Sequence, residues 1–550
     1  FTTPAWFRTG VMYQIFPDRF ARDSSATVQR GMEHHRRMGQ TVHCHAGWDE
    51  PVEWQANTPE GEYAPVDFYG GTLRGIADRL HYLQKLGVTV LYLNPIFESA
   101  SNHRYDTGDY RKVDPILGTN ADFKKLCAAA ADCGIRIVLD GVFAHTGADS
   151  RYFNRFRHYP GCGAYNSHSS VYARWYSFAH YPDDYKCWWD FKGLPAVNAA
   201  NPDWRKYMIT GERSIVKTWL RDGASGWRLD VADELPDDVL RGMRSAAKET
   251  DPDSVLLGEV WEDAVTKVSY GERRQYALGD ALDSVMNYPL RDGLVAFLTG
   301  RSTAHALADL LLSQRLNYPR PLYYALMNLT ASHDVARTRS ALALDFDPRS
   351  RTRAELAALE ITDAMAARGA QLQVLAAAVQ FWLPGIPSIY YGDETGMQGL
   401  CDPFNRAPLQ MCDTQMLQWY AQLTALRHAH PALTHGEVAV FAPAGDVLCV
   451  LRVIADGRDA FGEEAEDEAL LLIVNRAAHP VRCHVELTCP GAGLCEETRL
   501  AFVRSEYDCA ADCTDDTHIA IRDGVGAFDL PPYAAKIYRL ENRHGTETGS

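Results

Sequence analysis

Short apolar runs alternate with longer runs of helical period along most of this chain. VMYQIF (11–16), VTVLYL (88–93), IRIVLD (135–140), GWRLD (226–230), SVLLGE (254–259), LDSVM (282–286), ALMNL (325–329) and SIYYG (388–392) are rich in Val, Ile, Leu and Tyr and predict buried strands. Between them, GIADRLHYLQKLG, ADFKKLCAAAADCG and RTRAELAALEITDAMAARGAQLQVLAAAVQFW carry apolar positions at helical spacing. Eight strands alternating with helices predict an α/β fold, a closed (β/α)8 TIM barrel rather than an open sheet.

Two stretches break the alternation. Residues 146–200, after the third strand, are aromatic, Gly-rich and Asp-rich, too long for an ordinary loop, and predict an inserted subdomain. Beyond residue 431 the helical pattern stops. VLCVLRVI, ALLLIVN, VRCHVEL and AAKIYRL, separated by turn residues, predict a C-terminal antiparallel β-sandwich. The expected division is a barrel over 1–145 and 201–430, an insertion over 146–200, a sandwich over 431–541 and a disordered tail over 542–550. FGEEAEDEA (461–469) reads as a solvated acidic loop.

Composition narrows the function. The chain has 550 residues, 46% hydrophobic, enough for a large core and more than one domain. A net charge of −16 argues against nucleic acid or an anionic membrane as partner, since both need a basic surface, and a neutral substrate fits better. The most apolar stretch, from Val374, contains two prolines and a glutamine, and reads as helix, break and strand rather than a membrane span. Thirteen cysteines, several inside helical or strand patterns as Cys127 and Cys133 are, read as free thiols in a reducing compartment, hence a cytoplasmic location. Cys509 and Cys513 beside DDTH (515–518), and the group His34, His35, His43, Cys44 and His45, hold metal-binding residue types but lack a recognised ligand spacing. Solvated loops are expected for both. The chain opens at Phe1 with no methionine and no signal-peptide pattern, which leaves open a removed leader or upstream domain.

In a (β/α)8 barrel the catalytic groups stand at the C-terminal ends of the strands. Here those ends carry Asp140 and His145, Arg228 and Asp230, Glu259, and His333 and Asp334. Any one of these residues is explained as well by an ion pair or helix cap, but agreement among four strand ends points to a site.

DGVFAH (140–145), GWRLDVADE (226–234), GEVWE (258–262) and NLTASHD (328–334) resemble, in order, the four signature regions of the α-amylase family, glycoside hydrolase family 13. The resemblance implies a retaining α-glucan hydrolase with Asp230 as nucleophile, Glu259 as general acid/base and Asp334 as transition-state stabiliser. Arg228, His145 and His333 would assist and Asp140 would brace the site. A retaining glycosidase needs one carboxylate to attack the anomeric carbon and a second carboxyl, about 5 to 5.5 Å away, to protonate the leaving oxygen. Arg228, two residues before Asp230, shares its face of the strand and is expected to hold it as an anion. Glu259 must instead carry a proton, which a dry setting beside Trp261 favours.

LPAVN (194–198) partly resembles the MPKLN signature of the neopullulanase, cyclomaltodextrinase and maltogenic amylase group, and VADE resembles its VANE, with Asp233 for Asn. YQIFPDRF, FYGGTLRGI and SVMNYPL also resemble this group. By the same resemblance Tyr105 and Asp106 would form a platform for the sugar at the cleavage site, Asp402 and Arg406 would hold the next sugar toward the non-reducing end, and Glu234 and Trp261 would border the leaving-group side. Core packing is the alternative account of Tyr105, and a structural salt bridge that of Asp402 and Arg406. The expected substrates are maltooligosaccharides, cyclodextrins, pullulan or starch, cut at α-1,4 and also α-1,6 bonds. An oligo-1,6-glucosidase or α-glucosidase acting from chain ends is the alternative enzyme. A non-catalytic binding or transporter subunit is the alternative of another class, and it predicts a missing carboxylate and a membrane segment.

Two departures bear on metal and assembly. The Asn that binds calcium in many relatives is here Ala144, the group's GGD is GGT with Thr72, and its calcium loop is replaced by ARDSSATVQR, so no cofactor and no metal is expected, with calcium held by Asp140 and backbone carbonyls of the insertion as the alternative. The group's N-terminal β-domain, which helps form its dimer, has no counterpart before this barrel, so the oligomeric state is left open.

Overall fold

The computed structural model describes residues 1–23, 26–59, 61–487, 498–502, 519–520 and 525–542. Eight parallel strands form one sheet: β1 Met12–Ile15, β2 Val90–Leu93, β3 Arg136–Gly141, β4 Gly226–Leu229, β5 Val255–Gly258, β6 Ser284–Val285, β7 Met327–Leu329 and β8 Ile386–Tyr390. Their order is β6-β5-β4-β3-β2-β1-β8-β7. A single parallel bridge between Met286 and Met327 closes the sheet into the expected barrel.

The two-residue period of the strands separates two cores. Met12, Val90, Val138, Val255, Leu257, Met327, Leu329 and Ile386 pack together inside the barrel. Tyr13, Leu91, Ile137, Trp227 and Leu229 belong to a larger cluster shared with the helices outside. Arg228 lies between Trp227 and Leu229 and pairs in register with Asp140 on β3 and Leu257 on β5, so its side chain enters the barrel. A charge is accepted there because Asp140, its in-register neighbour, is a carboxylate that it meets directly.

The loops above β1 to β3 are shaped by local chemistry. Asp18 accepts the backbone N–H groups of Tyr69 and Gly70 at 2.9 and 3.0 Å. A Cβ on Gly71 would meet the Pro17 carbonyl oxygen at 2.2 Å, which explains the glycine pair in FYGGT. After β2 an antiparallel hairpin, Phe97–Ser99 with Thr107–Val113, carries residues 100–106 across its tip. After β3 the insertion is mostly turns around buried Tyr152, Phe153, Trp175, Tyr176 and Tyr185, and is stitched to the barrel by a bridge between His145 and Ala196.

After a short helix, Pro431–His435, the C-terminal strands begin: β9 Glu437–Ala444, β10 Val447–Ile454, β11 Glu468–Asn475, β12 Val481–Glu486, β13 Thr498–Phe502, β14 Ile519–Ala520, β15 Val525–Leu530 and β16 Ala534–Asn542. They form a six-stranded sheet, β9-β10-β11-β16-β13-β14, and a pair, β12-β15. Val447, Cys449 and Ile473 of the first pack on Cys483, Val485 and Phe528 of the second, which makes the two layers of a sandwich. Residues 462–464, 466 and 467 are exposed, as expected of the acidic loop, while Glu468 and Ala469 open β11.

The nine described cysteines are all free thiols. Cys509, Cys513 and the tail beyond Asn542 lie outside the described residues. The histidine group differs from its expectation. His35 is fully buried against Asp114 and His45 is 5% exposed, because a short strand and a helix carry them rather than a solvated loop.

Candidate active site

The site stands where strand periodicity delivers it, at the C-terminal mouth of the barrel. Asp140 ends β3, Asp230 follows β4 and Glu259 follows β5, while His333 and Asp334 lie in the loop after β7. At its centre is Arg228, with no exposed surface. Its Nη1 donates to Asp140 at 2.8 and 3.0 Å and to Asp230 at 2.9 Å, and its Nη2 lies 2.9 Å from Glu259. One guanidinium therefore touches three carboxylates from three strands.

That sharing changes the expected electrostatics. Burial pushes the Asp230 carboxyl well above the usual range; Arg228 opposes this, and the Glu259 and Asp140 carboxylates add to it. Burial, then repulsion from Glu259, pushes Asp334 up to about 7. Arg228 counters that rise while being shared among three carboxylates. Glu259 also differs from expectation. Trp261 donates its indole N–H to Oε1 at 3.0 Å and the Val231 backbone N–H donates to Oε2 at 2.8 Å, so the glutamate is cradled by donors rather than walled by carbon. Val231 sits at φ 41°, ψ 58°, a costly conformation for a β-branched residue, in the turn that leaves β4.

The histidines are neutral. Gln14 donates its amide N–H to His333 Nδ1 at 2.9 Å, which leaves the proton on Nε2, 2.6 Å from the Tyr105 hydroxyl. Burial, with the charges of Arg406 and Arg228, holds His333 well below the ordinary imidazole range. Tyr105 passes the chain on, donating to Asp140 at 2.8 Å, with its ring parallel to His333 at 5.2 Å. It is half-buried, as a sugar platform must be. Burial lowers His145 to about 4; its Nε2 donates to the Tyr105 carbonyl at 3.1 Å, and its buried Nδ1 has no protein partner. That free acceptor suits a substrate hydroxyl.

The remaining candidates divide. Asp402 and Arg406 form a salt bridge at 2.8 Å, and the other guanidinium nitrogens of Arg406 donate to the His333 carbonyl at 3.1 and 2.9 Å, so the pair also fixes the loop carrying Asp334. Asp106 Oδ1 is taken by the Ser99 and Ser101 hydroxyls, which makes it a brace of its own turn. Trp261 stacks on Tyr288 at 3.8 Å and 6°, and Glu234 accepts from Tyr270 at 2.6 Å at the outer rim. Asp233 pairs with Lys267 at 3.0 Å. Sequence reasoning missed Gln14, Tyr92, Asn94 and Tyr288. Tyr92 donates to Asp140 at 2.6 Å, Asn94 to Tyr105 at 2.9 Å, and Tyr288 lies 3.4 Å from Asp334. The available signal was polarity on the inward face, as for Gln14 in VMYQIF.

Residues 14–407 match the family model described as "Alpha amylase, catalytic domain". An amylopullulanase of Thermoanaerobacterium saccharolyticum is 35% identical over 89% of this chain, which spans 39% of that protein's length. A cyclomaltodextrinase of Geobacillus thermopakistaniensis is 32% identical over 98% of this chain and 79% of its own length. Among solved structures, a cyclic alpha-maltosyl-(1-->6)-maltose hydrolase from Arthrobacter globiformis superposes with a TM-score of 0.70 at 27% identity, covering 98% of this chain and 100% of that one. With a catalytic-domain match of this length, and with cyclomaltodextrinase, neopullulanase and maltogenic amylase relatives, the chain belongs to the α-amylase family, glycoside hydrolase family 13.

Proposed function

We propose that this chain is a retaining α-glucan hydrolase that cuts α-1,4 bonds, and α-1,6 bonds in some settings, in maltooligosaccharides, cyclodextrins, pullulan or starch. The observation that carries the reading is the cluster in which Arg228 touches Asp140, Asp230 and Glu259 at the mouth of the barrel. Asp230 attacks the anomeric carbon while Glu259 gives a proton to the departing oxygen, and Glu259 then takes a proton from water as it releases the sugar from Asp230. Burial and mutual repulsion favour retention of a proton within the cluster. Asp334 and His145 meet ring hydroxyls, and Tyr105 offers an apolar face to the sugar. Against the binding-subunit alternative stand the three carboxylates at the barrel mouth, Asp230, Glu259 and Asp334. Free thiols favour a reducing, cytoplasmic setting.

The test combines a variant with product analysis. Asp230→Asn should lower turnover by at least about 10³-fold with the fold intact. Proton NMR of fresh wild-type products should record the α-anomer first; initial β-anomer would rule out double displacement. With β-cyclodextrin, pullulan, starch and isomaltose side by side, the first three should be cut more readily. Fast isomaltose hydrolysis with inert pullulan would favour the chain-end enzyme.

We also propose that calcium is not required. The Thr72 hydroxyl is occupied as a helix cap, accepting the Gly75 N–H at 2.9 Å; Ala144 has no side-chain oxygen; and Asp140 is engaged by Arg228, Tyr92 and Tyr105. Calcium needs six to eight oxygens at about 2.3 to 2.6 Å. Calcium added to EDTA-treated, dialysed enzyme should change neither turnover nor melting temperature. A rise of many degrees restored by calcium would expose a site elsewhere.

A further inference from the structure

Outside the barrel mouth, one group of side chains has the chemistry of a metal site. His43 and Cys44 form a short strand parallel to Asp67 and Phe68, with His43 opposite Asp67. Alternation along an extended chain turns Cys44 to one side, onto Met32 and Phe68, and sends His43 and His45 to the other. Their rings stand 5.0 Å apart. Glu53 returns to the same place from the following segment and contacts His43 directly. One ligand atom from each of His43, His45 and Glu53 lies within 4.8 Å of the others.

We propose that His43, His45 and Glu53 bind a divalent transition ion of the zinc type. Two imidazoles and a carboxylate suit zinc, which takes four ligands in a tetrahedron, and suit calcium poorly, because calcium prefers an all-oxygen shell. His45 is pre-oriented for the role: its ring stacks on Tyr69 at 4.0 Å, Glu50 lies 2.9 Å from Nδ1, and Asp67 lies 3.3 Å from Nε2. Whichever nitrogen binds, the other keeps a carboxylate partner, the arrangement that fixes a metal-binding histidine and strengthens it as a ligand. Asp67 is itself held by Asn102 at 2.8 Å and Arg19 at 3.4 Å. His43 and Glu53 are 55% and 29% exposed at their side chains, which leaves a way in for the ion and room for a water as fourth ligand.

The ion would act as a clip on a segment that leans on the substrate side of the barrel. Between the two halves of the site, Trp48 donates to the Leu409 carbonyl at 3.0 Å, and just beyond Glu53 the ring of Trp54 lies 6.3 Å from Phe404. Those contacts flank Arg406. Tying Glu53 to the His43 strand holds this segment down, so ion binding raises the stability of the folded chain by mass action.

The test is titration of chelator-stripped, dialysed protein with Zn²⁺ by calorimetry and with Co²⁺ by visible absorption. One ion per chain is expected, with a melting temperature raised by zinc and not by calcium. His43→Gln and Glu53→Gln, both at side chains with exposed surface, should each weaken zinc binding at least about tenfold and abolish the thermal gain. His180→Gln, at an exposed histidine of the insertion, should change neither. No binding at millimolar zinc, or binding by His43→Gln and Glu53→Gln equal to wild type, would overturn the assignment. Neither readout depends on glucan hydrolysis, so it stands or falls apart from the proposed activity.

Discussion

Asp334 is the residue at which catalytic need and folding stability pull in opposite directions. Its carboxyl is raised from 3.8 to about 7 by burial and by Glu259. Between those pH values the folded chain holds a proton that the unfolded chain has released, so this group's contribution to stability falls as pH rises through the window. Asp334→Asn removes the penalty and keeps the shape. The variant should melt about 1–3 °C above wild type at pH 8, with the gain fading toward pH 4, while turnover is lost. A gap that does not change with pH would mean that Asp334 is not titrating in that range.

At the scale of the element, the turn after β4 does the positioning. The strand carries Arg228 inward by simple alternation, and the turn that follows sets the Val231 N–H against Glu259 and leaves Val231 itself in a left-handed conformation. That conformation costs an L-residue with a Cβ about 1–2 kcal/mol, and Gly almost nothing. The usual ranking of small substitutions should therefore invert here. Val231→Gly should be more stable than Val231→Ala by about 1 kcal/mol, measured as the difference in unfolding midpoint, although glycine ordinarily loses to alanine. Alanine ahead of glycine would show that this turn relaxes in solution.

At the scale of the whole molecule, two buried arginines stand at the seam of barrel and sandwich, and among the described residues neither forms a salt bridge with a carboxylate. Arg427 donates to the carbonyls of Arg8, Gly10 and Gly385, and Arg452 on β10 donates to those of Trp382, Leu433 and Gly436. Each guanidinium thus caps chain ends from different elements, replacing water at a buried seam. Arg452→Met leaves Leu433 and Gly436 with second donors in Arg427 and Tyr324, but strips Trp382 of its partner. The expected cost is about 1–3 kcal/mol, seen as a lower thermal midpoint of both regions together. Loss confined to the sandwich would show that the seam does not couple them.

The amino-acid sequence by itself determined the barrel, the insertion, the C-terminal strands and the strand-end positions of Asp140, Arg228, Asp230, Glu259 and Asp334, because periodicity and strand ends are properties of neighbouring residues. LDSVM, for example, reads as a strand from its own side chains, although only Ser284 and Val285 pair regularly in the sheet. What the tertiary structure decided concerns sums over distant groups. Asp140 and Arg228 are 88 positions apart, and Tyr105 and His333 are 228 apart. The proton balance of the site depends on how many carboxylates share one guanidinium and how little water reaches them, which no local pattern encodes. The same holds for Gln14 and Tyr92, whose polarity is visible in their strands but whose partners come from others, and for His45, whose burial arises only when residues 43–53 close over Asp67 and Tyr69. A strand's alternation tells which way a side chain points; the folded chain alone determines what it meets there.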